Sequence, residues 1–161
     1  MSPPVRVRTA TAADLDAIVD RWRELIDAHA ALEPVLYAVE AHAASSYRAF
    51  VRRQLDAHRG LVLVADRGDA RGVGYLMGGV GRRAPVYTVR EVGMVFDLAV
   101  RPDLRGQGVG SALVDVAVER FAGWGLDWVQ VNFAPGNALA APFWQARGFT
   151  TLLSEAYRPI R

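Results

Sequence analysis

The sequence predicts an α+β fold: a mixed, mostly antiparallel, twisted sheet of about six to seven strands flanked by helices, in one domain over residues 1–161. Three observations carry that reading. Three strand-like runs, Leu61 to Ala65, Gly72 to Val80 and Glu91 to Val100, follow one another with only turn segments between them, the pattern of neighbouring antiparallel strands. Segments with apolar residues at helical spacing lie before and after those runs. The length suits one core, and no linker, repeat or low-complexity segment divides it.

Each element has its own signal. Val5-Arg6-Val7-Arg8 alternates like a short strand, and Thr11 can cap a helix in which Leu15, Ile18, Val19, Trp22, Leu25 and Ile26 recur on one face. Polarity is mixed from His29 to His42 around Pro34, after which Tyr47 to His58 returns to a helical pattern through Phe50, Val51 and Leu55. Gly60 breaks that helix. The run Leu61 to Ala65 closes at the turn residues Asp66-Arg67-Gly68-Asp69 and returns as Gly72 to Val80; the Arg82-Arg83-Ala84-Pro85 region then leads to Glu91 to Val100. Pro102 ends this strand, and a glycine-rich loop opens a helix carrying Leu113, Val114, Val116, Ala117, Val118 and Phe121, stopped at Gly123 and Gly125. Trp128 to Phe133 reads as a strand, Asn137 caps a helix reaching Arg147, Gly148 stops it, and Phe149 to Ile160 is expected to form one or two edge strands.

Composition narrows the function. The hydrophobic fraction of 52% with 22% charged residues is that of a folded globular protein. A net charge of only +2, with its arginines scattered, gives no stripe to track a phosphate backbone, so nucleic acid is not expected as a partner. Cysteine is absent, which removes disulfides, thiolate metal sites and a cysteine nucleophile, and no metal is expected. The N-terminus lacks the apolar stretch of a signal peptide and no run is long enough to span a bilayer, so a cytoplasmic protein without a membrane partner is expected.

The stretch with the most chemical content is Val100-Arg101-Pro102-Asp103-Leu104-Arg105-Gly106-Gln107-Gly108-Val109-Gly110-Ser111, set between a strand and an amphipathic helix. Glycines let backbone approach an oxyanion, and the helix that follows presents its unpaired first N–H groups and the positive end of its dipole. Such a loop can cradle a pyrophosphate. A Walker A loop needs a lysine, and the chain contains none. The dinucleotide fingerprint needs a glycine where Ser111 stands and belongs to an early βαβ unit. No G-x-S-x-G element supports serine-hydrolase chemistry.

Taken with Asp97-Leu98-Ala99-Val100-Arg101-Pro102, Asn137 and Phe143-Trp144-Gln145-Ala146-Arg147-Gly148-Phe149, this loop closely resembles the GNAT superfamily of N-acetyltransferases. In that family Gln/Arg-x-x-Gly-x-Gly/Ala binds the CoA pyrophosphate, and Arg105, Gly108 and Gly110 match it. Over the first half of the chain only the order of elements and the opening Arg8 to Asp14 are similar. The resemblance implies an α/β/α-layered fold and acetyl transfer from acetyl-CoA to a primary amine of a small molecule or peptide. It implies that the backbone of Leu98, Ala99 and Val100 lies along the pantetheine arm, with an N–H polarising the thioester carbonyl. Gly106, Gln107, Gly108, Val109, Gly110 and Ser111 would hold the pyrophosphate, with Asn137 bonding the arm or only capping its helix. A homodimer would follow family habit.

Direct transfer needs an unprotonated amine, and a carboxylate can take its proton. Asp97, the charged side chain within the apolar run Met94 to Val100, is the first candidate base, with a purely structural carboxylate as its alternative; Glu91 is the second. His29 or His42 could line the acceptor pocket, and Tyr37, Tyr47, Tyr75 and Tyr87 are equally open. One departure stands out: many members of the family place a tyrosine four residues before the glycine of the final Gly-Phe pair, as acid for the leaving thiolate, and here that position is Trp144. An indole N–H can donate to sulfur but cannot deliver a proton, so Trp144 is expected to pack or to bond weakly at the cofactor's sulfur end. The loop alone also fits a non-catalytic acyl-CoA-binding sensor or regulatory module.

Overall fold

A computed structural model describes residues 3–160. The strands are β1 (Val5–Thr9), β2 (Leu61–Arg67), β3 (Ala70–Arg82), β4 (Glu91–Val100) and β5 (Val129–Val131). The helices are α1 (Leu15–Leu32), α2 (Ala43–Asp56), α3 (Val109–Gly123) and α4 (Ala140–Ala146), with single 3-10 turns at Ala12–Asp14 and Pro102–Leu104. The strands lie side by side in the order β1-β2-β3-β4-β5; β1 to β4 run antiparallel and β5 joins β4 in parallel.

Helices cover both faces of this sheet. Val62, Val64, Tyr75, Met77 and Ala99 pack against Leu15, Ile18, Val19 and Trp22 of α1 and against Tyr47 and Val51 of α2. The alternate residues Leu61, Leu63, Ala65 and Leu76, joined by Val73 and Val95, belong to the core that includes Leu113, Val114, Ala117 and Phe121 of α3 and Trp144 of α4. All of β2 is buried, which explains why it reads as an unbroken apolar run: a strand covered on both faces has no polar side to alternate. Each fully buried large side chain in these layers contributes about 1.5–3 kcal/mol. Close approach fixes α3: a Cβ added at Gly93 would stand 2.5 Å from the Phe121 ring, so this glycine lets the helix settle onto β4.

The β2–β3 hairpin is tighter than expected. Asp66 and Arg67 belong to β2, Arg67 pairs with Ala70, and only Gly68 (φ +56°) and Asp69 form the turn. Asp66 is buried and accepts hydrogen bonds from Arg8 Nε at 2.9 Å and from the Gly72 N–H at 2.9 Å, while Arg8 also makes two bonds to Asp14 at 2.7 and 2.8 Å. That cluster ties β1, the start of α1 and the hairpin together.

Three expectations are corrected in detail. The expected strand Trp128 to Phe133 is the three-residue β5, and α4 begins at Ala140, three residues after Asn137. The segment after α4 forms no strand up to residue 160, leaving five strands among the described residues. A strand needs a partner with a ladder to offer, and β5 presents only a short outer edge. Leu152, Leu153, Tyr157 and Ile160 are therefore exposed, and Pro159 has no N–H to contribute.

Candidate active site

The site forms where β4 outruns β5. The two parallel strands pair only through Gly93, Met94 and Val95 with Val129, Gln130 and Val131. Beyond Val95 the strands part, and β4 continues to Val100 with β3 alone beside it. A bulge accompanies the parting: Val95 pairs with Gly78 and Asp97 with Met77, so Phe96 is an extra residue on β4. Leu98, Ala99 and Val100 pair with Leu76, Tyr75 and Gly74 on the β3 side, which leaves the other edge of this backbone open to a ligand.

At the end of that edge lies the glycine-rich loop. An Arg101–Asp103 ion pair at 2.7 Å and the 3-10 turn Pro102–Leu104 reverse the chain out of β4. Gly106 (φ +70°) and Gly108 (φ +86°) occupy the left-handed region, which other residues reach only with strain. A Cβ added at either would meet no protein atom within 4 Å, so the loop faces open space. Gln107 braces it from behind: its Nε2 donates to the Asp103 carbonyl at 2.9 Å and its Oε1 accepts from Arg67 Nη1 at 2.5 Å. Arg105 is exposed and its Nε donates to the Val100 carbonyl at 3.2 Å.

α3 then starts with Gly108 as its N-cap, and no side chain caps it. Its first internal bond runs from the Ala112 N–H to the Gly108 carbonyl, so the N–H groups of Val109, Gly110 and Ser111 precede the ladder. Val109 is anchored in the core and Gly110 abuts Phe143 of α4. Such an uncapped, positively polarised helix end behind two left-handed glycines fits a pyrophosphate.

Asp97 lies on the other face of β4, towards α1 and α2. The Tyr47 hydroxyl donates to its Oδ2 at 2.8 Å, and the Tyr75 hydroxyl lies 2.9 Å from that of Tyr47. The Tyr47 ring stacks on Trp22 with centroids 4.4 Å apart. Burial pushes the Asp97 carboxyl above the usual aspartate value; the Tyr47 bond and nearby His29 pull it back without cancelling that effect. Burial beside Asp97 pushes the Tyr47 hydroxyl far up and keeps it protonated. His29, in the last turn of α1, stacks on Tyr37 at 4.9 Å.

Other sequence candidates lie elsewhere. Glu91 sits at the start of β4, six residues from Asp97 and so about 20 Å away along the strand. Arg59 holds it at 2.7 Å and lowers its pKa, and the structure does not bring it to the loop or to Asp97. Asn137 Oδ1 accepts the Leu139 N–H at 3.1 Å just before α4, a turn-capping bond, and its amide nitrogen has no partner among the described residues. Trp144 is buried in the core, edge-to-face with Phe143 and Phe149 at 5.0 Å each. His42 and His58 are exposed. Of the tyrosines, the structure singles out Tyr47 and Tyr75. Their signal in the sequence was only an aromatic on the apolar stripe of a helix and another inside an apolar strand. Among the described residues no group of three or more His, Asp or Glu side chains is placed to hold a metal ion, and no helix is long and apolar enough to cross a membrane.

Comparisons with known proteins agree with this fold. A point mutant of the BH1408 protein from Bacillus halodurans superposes with a TM-score of 0.85 at 17% identity, over 97% of this chain and 99% of that one. The aminoglycoside N-acetyltransferase AAC(6')-Iy, in complex with a bisubstrate analog that joins CoA to an acetylated neamine, gives 0.77 at 16% identity over 98% and 99%. A protein from Bacillus halodurans C-125 described as a transcriptional regulator gives 0.75 at 22% identity over 98% and 100%. At such identities the likeness is one of fold. A search of the curated proteins finds no match. The Acetyltransferase (GNAT) family model matches residues 22–149, a span from within α1 to three residues past α4, and the chain belongs to that family.

Proposed function

We propose that this protein transfers an acetyl group from acetyl-CoA directly to a primary amine, with Asp97 as the base. The observation that carries the reading is the meeting, at one end of β4, of an unpaired strand edge, an uncapped helix N-terminus behind two left-handed glycines, and a half-buried carboxylate. The N–H groups of Val109, Gly110 and Ser111 suit the pyrophosphate, with Gly106 and Gly108 leaving room for it and the exposed Arg105 adding charge. The free edge of Leu98 to Val100 suits the amide-bearing pantetheine arm, and a β4 N–H aimed at the carbonyl oxygen would stabilise the oxyanion of the tetrahedral intermediate. The free amide nitrogen of Asn137 suits the same arm from the α4 side.

Acetyl-CoA, when bound, supplies an activated acetyl thioester. Asp97 accepts a proton from the acceptor nitrogen as that nitrogen's lone pair forms the new C–N bond and the C–S bond breaks. Its raised pKa makes it a better proton acceptor than a solvated aspartate, while the Tyr47 bond favours the ionised form that can accept. A thiol has a pKa of about 8.5, so the sulfur can depart as thiolate without a full proton donor at Trp144. The test is thiol release from acetyl-CoA across polyamines, amino acids, aminoglycosides and peptide N-termini. Release that depends on one class identifies the acceptor. Binding of acetyl-CoA with no release for any amine favours the second reading, a sensor or regulatory module, which the fold shared with a protein described as a transcriptional regulator supports.

A further inference from the structure

We propose that Tyr47 is a positioning residue: its hydroxyl, ordered by Tyr75, pins Oδ2 of Asp97 and leaves the remaining carboxylate oxygen to meet the acceptor amine. The proposal rests on Asp97 as the base and adds the device that holds it ready.

The direction of the bonds follows from counting protons. Tyr47 has one hydroxyl proton, and it goes to Asp97 Oδ2 at 2.8 Å. The 2.9 Å contact between the two tyrosines must then be made by Tyr75, whose proton points at the Tyr47 oxygen. The chain therefore runs Tyr75 to Tyr47 to Asp97, with every donor aimed towards the carboxylate. Reversing it would leave the proton of Tyr75, 1% exposed, with no acceptor among the described residues, and an unpaired buried donor is costly. A one-way chain of this kind polarises successive O–H groups and favours negative charge at its end.

The chain is also rigid. Tyr47 is clamped by the Trp22 stack, 11° from parallel, and by an edge contact with Phe50; Tyr75 stands inside β3, paired with Val64 on one side and Ala99 on the other. Asp97 itself follows the Phe96 bulge, where the strand twists more freely than in a regular ladder, so a fixed bond to Oδ2 supplies the orientation the backbone does not. The titratable groups facing Asp97 are Tyr47 from α2, Tyr75 from β3 and His29 from α1.

The test uses Tyr47→Phe, which keeps the ring and its stack and removes only the donor, and Tyr75→Phe, which keeps the donor and removes its polarisation. The Asp97 carboxyl is followed by carbon NMR on protein labelled at the aspartate side-chain carbon and assigned by the loss of one signal in Asp97→Asn. Losing the donor destabilises the carboxylate, so the titration moves to higher pH in Tyr47→Phe, and in the same direction by less in Tyr75→Phe. Because the ionised form is the base, the acidic limb of kcat/KM moves with it: kcat/KM falls about tenfold at pH values below both midpoints, the size of one hydrogen bond to a charged acceptor, and recovers towards wild type at pH values above the shifted midpoint. A titration that stays put in either folded variant overturns the proposal. So does a loss of activity equal at every pH, which is the mark of a merely structural tyrosine. If Tyr47→Phe fails to fold, Tyr75→Phe is judged by the same two criteria. The titration needs no turnover, so a protein inert towards every amine still decides whether Tyr47 sets the state of Asp97, while full activity in Asp97→Asn removes the base and this role together.

Discussion

Gly108→Ala tests the cradle most directly, because the structure separates its two effects. At φ +86° an alanine is strained, which costs about 1–2 kcal/mol and lowers the melting temperature of a chain this size by roughly 2–8 °C. The added methyl touches no protein atom within 4 Å, so it stands in the open space in front of the loop. Gly110→Ala is the control: its φ is ordinary, its Cβ would make a 3.4 Å contact with the Phe143 ring, and it lies inside a helix where alanine is favoured by up to about 1 kcal/mol. Acetyl-CoA binding, read by calorimetry, should weaken at least tenfold in Gly108→Ala and stay within about threefold in Gly110→Ala. Tenfold is about 1.4 kcal/mol, so at a fixed saturating concentration the ligand-induced rise in melting temperature shrinks by roughly 3–6 °C in the first variant only. Equal affinity in wild type and Gly108→Ala, with the expected loss of unliganded stability, would mean that the loop bends for the fold and holds no pyrophosphate.

Asp97→Asn should lower turnover by about a hundredfold with acetyl-CoA affinity near normal, whereas Glu91→Gln, which only weakens a half-exposed ion pair with Arg59, should leave kcat/KM within about twofold; steady-state kinetics on both variants decide between the two carboxylates. Trp144→Phe opens space in the core and should lower the melting temperature while turnover falls by less than about tenfold, and a thousandfold loss with fold and affinity intact would show that the indole takes part in proton delivery. Arg8 holds Asp14 at a pKa of about 2, well below the ordinary aspartate value, so the ion pair's contribution is complete above about pH 4 and disappears as pH falls towards 2. Acid unfolding of Arg8→Met, followed by circular dichroism, should accordingly show a midpoint at higher pH than wild type, and an unmoved midpoint would assign acid sensitivity to other groups.

What could be read from the sequence was what chemistry dictates locally. Glycines at 106 and 108 between a strand and an apolar helical stripe announced a tight turn into an uncapped helix, and left-handed backbone is found at both. Asp97 announced itself because a carboxylate inside Met94 to Val100 has to be explained by something. Its partner was hidden: Tyr47 is 50 positions away and Tyr75 is 28 from Tyr47, and their meeting depends on the β3–β4 register and on how α2 crosses the sheet. The Phe96 bulge and the parting of β4 from β5 were hidden for the same reason, since neither leaves a mark on residue type. The segment after Phe149 misled in the opposite way. Thr150, Thr151, Leu152 and Leu153 have the local composition of a strand, but pairing is a property of two chains of residues, and a three-residue β5 has too little edge to enforce it.

The placement of the site follows from those same non-local facts. Parallel strands that separate expose one edge of one strand at its C-terminal end, and the chain leaving that end must cross over the gap through a loop into a helix that covers the sheet. Here the helix is fixed by Phe121 over Gly93 at one end and by Val109 against Gly74 at the other, so its N-terminus is carried to the mouth of the gap by core packing. The proposed acceptor side is set independently, because Asp97 and Ala99 point to the α1–α2 face while Leu98 and Val100 point to the α3 face. On the proposed reading, donor and acceptor machinery occupy opposite faces of one strand and meet at its free edge. Substitutions in α1 or in the residue 33–42 connection should therefore change which amine reacts without altering acetyl-CoA affinity, and those in residues 105–111 should do the reverse.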